Sequence, residues 1–144
     1  MKTMILTVTL IIGVMLAASC TSSPRNVEKQ NEDLYDTDTG LDLTGSVKYT
    51  VKWGDTLSKI SRRFYNDGFY YPVIMLASRG VVKNPDKIWP GMAFTIPDLE
   101  RNKANVNCRK TIKNCLNEFA DIEKAKPRPR RGLIDGLKKR ADAL

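Results

Sequence analysis

Two short stretches in which apolar and polar residues alternate stand at either end of a segment of about fifty residues. They constrain this chain more than any other feature of its sequence. Val47, Tyr49, Val51 and Trp53 alternate with Lys48, Thr50 and Lys52, and Met92-Ala93-Phe94-Thr95-Ile96 alternates again before Pro97. A period of two describes a strand with one buried face. Neither strand can leave its backbone N–H and C=O groups unpaired, so each is expected to be the other's partner. Whatever lies between them must bring the second strand back beside the first.

The intervening residues read as two helices. Asp55 follows Gly54 and is placed to cap a helix beginning at Thr56. Leu57, Ile60, Ser61 and Phe64 then fall at i, i+3, i+4 and i+7, leaving Lys59, Arg62 and Arg63 for water. Asn66-Asp67-Gly68 breaks that helix. Pro72 suits the first turn of a second helix running from Val73 to Ser78, and Gly80 suits its end. Asn84-Pro85-Asp86 and Pro90-Gly91 mark turns. The expected fold class is therefore α+β: a small βααβ domain over 47–97 with a two-stranded antiparallel sheet. Four elements sharing one apolar centre is about what a domain of this size supports.

Before this segment the chain changes character twice. Met4 to Ala18 runs fifteen residues without a charge after Met1-Lys2-Thr3. A membrane span needs about 20 apolar residues, so this run suits the apolar core of an export signal instead. Ala17, Ala18 and Ser19 precede Cys20, which resembles the lipobox of bacterial lipoproteins. That resemblance implies removal of residues 1–19 and acylation of Cys20 as the mature N-terminus, although Leu16 sits four residues before the cysteine where the family prefers three. Residues 21–46 carry six acids against two bases and few apolar side chains. Such a composition does not offset the entropy of ordering, so 20–46 is expected to be a disordered, acidic linker behind the lipidated cysteine. As a coil it would average about 28 Å end to end, with a limit of ~90 Å.

After the segment, residues 98–144 hold thirteen bases and seven acids. Cys108, Ile112, Cys115, Phe119 and Ile122, with Leu116 beside them, form one helical stripe, so 105–125 is expected to be an amphipathic helix. Lys126-Pro127-Arg128-Pro129-Arg130-Arg131-Gly132 ends it, and Leu133, Ile134, Leu137 and Ala141 permit a short final helix. The stripe has two readings, packing against the preceding domain or docking a protein partner through 105–125. On a continuous helix the α-carbons of Cys108 and Cys115 would lie about 10.5 Å apart, beyond disulfide reach. Either the helix is interrupted, or they pair with another chain, or they stay reduced.

The central segment resembles a LysM domain. Tyr49-Thr50-Val51-Lys52-Trp53-Gly54-Asp55-Thr56-Leu57-Ser58-Lys59-Ile60 is similar to that family's Y-x-V-x-x-G-D-T-L-x-x-I signature. Phe64-Tyr65 matches the aromatic end of its first helix, Asn84-Pro85-Asp86-Lys87-Ile88-Trp89-Pro90-Gly91 its N-P-D-x-I-x-P-G turn, and Ile96-Pro97 its closing pair. Ser78 departs from the family's usual Asn, Met92 from its Gln and Phe94 from its Leu. A hydroxyl at 78 is expected to hold the following loop less firmly than an amide would. The resemblance implies binding of β-1,4-linked N-acetylglucosamine glycans, which in a bacterial envelope means peptidoglycan. It also implies a groove between Gly54-Asp55-Thr56-Leu57 and Pro85-Asp86-Lys87-Ile88; there Trp53 or Trp89 would supply a stacking face, Trp89 beside Pro90-Gly91 being the one expected to be partly exposed. Gly54 would let a sugar approach the backbone closely. Each residue also has a structural reading: Asp55 and Thr56 as helix caps, Leu57 and Ile88 as core. Trp53 alternates in phase with Tyr49 and Val51 and is expected to pack.

Several function classes fall away. The chain has no histidine, which excludes Ser–His and Cys–His catalysis and His-ligated metals. Three cysteines are too few and scattered for a zinc site or a disulfide scaffold. A lytic transglycosylase could work with one glutamate and no histidine, but the only glutamates after the LysM-like segment are Glu100, Glu118 and Glu123, in a stretch too short to build a substrate cleft. No catalytic residue, cofactor or metal is therefore expected. Despite a net charge of +8, nucleic acid is not an expected partner of an exported chain. The leading expectation is a lipid-anchored tether between membrane and peptidoglycan in the bacterial cell envelope. The outer membrane's periplasmic face is favoured by Thr21, rather than Asp, after the cysteine. The alternative is an envelope adaptor that uses the LysM-like segment for localisation and its C-terminal helix to dock a wall enzyme.

Overall fold

The computed structural model describes residues 35–36 and 38–144, so the expected signal segment 1–19, Cys20 and the first part of the expected linker lie outside the described residues. In chain order the elements are β1 (Tyr35–Asp36), β2 (Leu41–Asp42), β3 (Val47–Thr50), α1 (Leu57–Tyr65), a 3-10 turn (Gly68–Tyr70), α2 (Tyr71–Ala77), β4 (Ala93–Ile96), α3 (Leu99–Ala104), α4 (Val106–Lys124) and α5 (Arg131–Asp142). The expected α+β class and βααβ order hold. β3 and β4 pair antiparallel, with Val47 opposite Ile96 and Tyr49 opposite Phe94. Phe94 and Ile96 are buried in the core, whereas Val47 at the strand's start is half exposed.

The first strand is shorter than its alternation implies. Val51 continues the pairing, its N–H donating to the Met92 carbonyl at 2.8 Å and its carbonyl accepting from Gly91 N–H at 2.9 Å. The chain then turns: Asp55 N–H donates to the Lys52 carbonyl at 3.1 Å, and Gly54 sits at φ +81°, a conformation open to glycine without steric cost. The turn throws Trp53 outward to 91% exposure, so its expected packing is corrected. The helix cap is corrected too. Thr56, not Asp55, caps α1, its side chain accepting from Lys59 N–H at 3.2 Å.

The helix α2 explains why the tail is part of the fold. Tyr71-Pro72-Val73-Ile74-Met75-Leu76 has no polar face, and all six residues are buried. A helix apolar all round must be covered on every side. α1 and β4 cover one side, and α4 covers the other. Cys108, Ile112, Leu116 and Ala120 of α4, with Leu137 and Ala141 of α5, are fully buried. Most of them join the same core as Leu57, Ile60 and Phe94. Of the two readings of the stripe, packing is the one observed. A partner docking on 105–125 would find that apolar face already covered, apart from half-exposed Ile122. α4 is continuous and both of its cysteines are free and buried, so an interrupted helix is ruled out.

Three further features were not anticipated. The expected linker does not reach residue 46 as open coil. Leu41 is fully buried, and the Asn102 amide brackets Asp42, accepting from its N–H at 2.9 Å and donating to its carbonyl at 2.7 Å. Ser78 holds the chain well: its hydroxyl accepts from Thr95 N–H at 2.9 Å and donates to the Thr95 carbonyl at 3.4 Å, bridging two backbone groups after all. Finally, α5 is fastened to the 3-10 turn. Arg140 ion-pairs with Asp67 at 2.8 Å and lies 4.4 Å over the Phe69 ring, and that ring fills the notch left by Gly136.

Candidate functional site

Two adjoining hollows run along the face where the β3–α1 turn meets the loop before β4. The deeper, of about 500 Å³, is lined by Asp55, Thr56, Leu57 and Ser58 on one side and Pro85, Asp86 and Ile88 on the other, with Tyr71 also in its lining. The shallower, of about 300 Å³, includes Gly54, Trp53, Trp89 and Pro90. Asp55 and Ile88 line both, so the two make one elongated groove. Of the nine residues expected here, eight are brought together, and Lys87 lines neither hollow.

Local hydrogen bonds fix each wall. The Asp55 carboxylate accepts from the Tyr49 hydroxyl at 2.6 Å and from Lys52 N–H at 2.9 Å, and pairs with Arg63 at 3.6 Å. Arg63 also donates to the Tyr49 hydroxyl. The Tyr49 hydrogen bond is the main influence holding the Asp55 carboxyl below the ordinary carboxylate range, and it raises the Tyr49 phenol in turn. Asp55 is thus an ionised anchor of the turn. Lys59 reaches back to donate to the Gly54 carbonyl at 2.9 Å. Opposite, Asn84 accepts from Asp86 N–H at 2.9 Å through its side chain and from Lys87 N–H at 3.1 Å through its carbonyl. That arrangement closes the Pro85-Asp86 turn.

The apolar surfaces divide by role. Leu57 is buried and shapes the floor from the core side, while Ile88 is half-buried. Trp53 and Trp89, 91% and 58% exposed, stand at the same end of the groove. Two solvent-facing indoles beside a trough of mixed polar and apolar lining suit the apolar face of a sugar ring, with backbone and side-chain polar groups left to orient its substituents. Among the described residues no group of three metal-ligating carboxylates and thiolates comes together.

The sequence reading missed Ser58, Tyr71, Arg130 and Leu133 in the deeper hollow. Ser58 was legible, being one residue beyond the expected wall. Burial of Tyr71 pushes its phenol up to about 12, keeping it neutral. Arg130 and Leu133 come from the tail, far from the groove in sequence, and carry no local signal that places them there.

Residues 49–97 match the LysM domain family, so this segment is a LysM domain. The potassium binding protein Kbp of Escherichia coli is 45% identical to this chain over 60 residues, covering 42% of this chain and 40% of Kbp. An uncharacterized protein of Deinococcus radiodurans is 46% identical over 54 residues, covering 38% of this chain and 21% of that protein. The chain thus aligns with well under half the length of either relative.

Proposed function

We propose, from the LysM domain at 49–97, that this chain binds β-1,4-linked N-acetylglucosamine glycans and acts on peptidoglycan without catalysing a reaction on it. The observation that carries this reading is the groove between the Gly54–Leu57 turn and the Pro85–Ile88 turn, with Trp53 and Trp89 exposed at one end. The one shallow sugar site of the LysM domain at 49–97 gives weak affinity by itself, because it buries little area against the cost of lost rigid-body freedom. A lipid on Cys20 would supply the missing contribution by confining the domain near the wall, so that binding becomes nearly intramolecular. The chain would then tether membrane to wall from the periplasmic face of the outer membrane. The adaptor reading has less support, since the apolar face of α4 is covered.

The test is co-sedimentation of the chain with insoluble peptidoglycan, with chito-oligosaccharide as competitor. Retention in moderate salt and release by the sugar are expected, because a groove that binds by shape and hydrogen bonds is little screened. Binding abolished by salt and untouched by the sugar would replace glycan recognition with plain charge attraction. Because the relative Kbp is a potassium binding protein, a potassium arm is included: titration with potassium chloride against sodium chloride should leave glycan binding unchanged. A potassium-specific change would assign the ion a role here. For the anchor, Cys20→Ser should abolish partition into the detergent phase, and continued membrane partition would refute lipidation.

A further inference from the structure

The C-terminal tail supplies residues to the groove that the LysM segment alone does not. Arg130, at the corner between α4 and α5, and Leu133, in the first turn of α5, both line the deeper hollow. Both lie outside the 49–97 match.

This corner is built to hold a guanidinium still. Glu123 is almost fully buried, and its carboxylate accepts from Arg130 Nε at 2.8 Å, from Arg130 Nη2 at 2.9 Å and from Arg130 N–H at 3.2 Å. Lys126 adds an ion pair to the same carboxylate at 2.6 Å. A two-pronged grip of this kind fixes the plane of the guanidinium as well as its position. The third nitrogen, Nη1, is the one left over. It lies 3.9 Å from the Asp86 carboxylate on the opposite rim, close enough for attraction and too far for a hydrogen bond. Leu133 follows on the same rigid corner, its N–H donating to the Arg130 carbonyl at 2.9 Å.

Resting on the glycan reading above, we infer that the α4–α5 corner is a further wall of the sugar site. There Arg130 Nη1 donates to the carbonyl of a bound N-acetyl group, and Leu133 meets that group's methyl. A neutral carbonyl fits better than a carboxylate because the charges of the corner are already matched, Asp86 and Glu123 each lying beside both Arg130 and Lys126. The sugar class read by the corner is therefore the N-acetylated one. The binding unit extends through α5 and does not end at Pro97.

Calorimetric titration of the full chain with the hexamer of N-acetylglucosamine tests this. Arg130→Lys keeps a positive charge beside Glu123 but removes the fixed Nη1, and Leu133→Ala removes the methyl's partner. Each should weaken binding about fivefold, the worth of one ordinary hydrogen bond or small apolar contact. Because Arg130 braces buried Glu123 and Leu133 packs against the core, a second measurement is made on the unaltered chain: the Arg130 Nε–H resonance, assigned by its absence in Arg130→Lys, should move when the hexamer is added. A wild-type chain that does not bind the hexamer overturns both this inference and the glycan reading. A wild-type chain that binds, with variants within twofold of it or an unmoved Arg130 resonance, overturns the wall alone.

Discussion

Gly136→Ala isolates the contact that fastens the tail to the LysM domain. A methyl carbon built at Gly136 would lie 2.0, 2.4 and 2.5 Å from three atoms of the Phe69 ring. Carbon–carbon contact is comfortable only at about 3.5–4.0 Å, so the ring must retreat by roughly 1.5 Å or α5 must lift. The ring has little room, since Arg140 lies 4.4 Å over its face and is tied to Asp67. Overpacking of this kind costs about 1–3 kcal/mol. Contacts as short as 2.0 Å place the cost at the upper end of that range, and the alanine returns up to about 1 kcal/mol through its better helix propensity, leaving a net loss of about 2 kcal/mol. Gly132→Ala is the internal control. It lies in the same helix with nothing within 4 Å of the added carbon, so it should be neutral or slightly stabilising. Urea unfolding followed by circular dichroism, with Phe69→Ala included to form a double-mutant cycle, measures the sign and the coupling. If Gly136→Ala proves as stable as the parent, Phe69 does not seat against α5 in solution and the account of tail attachment fails.

Other expectations follow from the same geometry. Glu123 is held at about 2, well below its ordinary 4.5, chiefly by the Arg130 hydrogen bonds. Its contribution is therefore complete above pH 4.5 and lost as the pH falls toward 2. The full shift would be worth about 3 kcal/mol, and roughly half of that once water around half-exposed Arg130 is allowed for. The stability gap between wild type and Glu123→Gln, measured by urea unfolding at several pH values, should close over that window; a constant gap would refute the linkage. Trp53→Ala should change stability by less than about 0.5 kcal/mol while reducing co-sedimentation with peptidoglycan, and unchanged sedimentation would remove Trp53 from the site. Burial pushes Cys108 upward and Cys115 to about 12, so both thiols should resist an aromatic disulfide reagent until urea unfolds the chain. Rapid labelling in the native state would show that α4 opens.

Period and turn chemistry made the LysM segment readable: the two alternating runs and the helical spacing of Leu57, Ile60 and Ser61 mapped directly onto elements. They failed where a single backbone turn overrode the pattern. Trp53 keeps its place in the alternation, yet the Lys52–Asp55 turn ends the strand before it. Leu41 was hidden by its acidic surroundings, because an average over a long stretch conceals one anchoring side chain. Asn102, which pins Asp42 from sixty positions away, and Phe69, which needs a glycine in α5, depend on long-range contacts that leave no local trace. The groove was legible as far as it is made of consecutive turn residues. Arg130 and Leu133 reach it only because α2 demands a second cover, which brings the tail round.

The bracket that Asn102 makes around Asp42 sets where tension would enter the molecule. A pull directed from the N-terminal side meets Leu41, embedded in the core, and the two hydrogen bonds to Asn102 before it meets β3. The load is handed to α3, whose own first turn is tied back by the same amide to the Asp98 carbonyl. The β3–β4 ladder and the groove-bearing turn beyond it are thus downstream of a mechanical clip. A chain strained at its N-terminal end would surrender the β1–β2 pairing and the Arg79–Asp38 hydrogen bond and then that clip, with the groove still assembled.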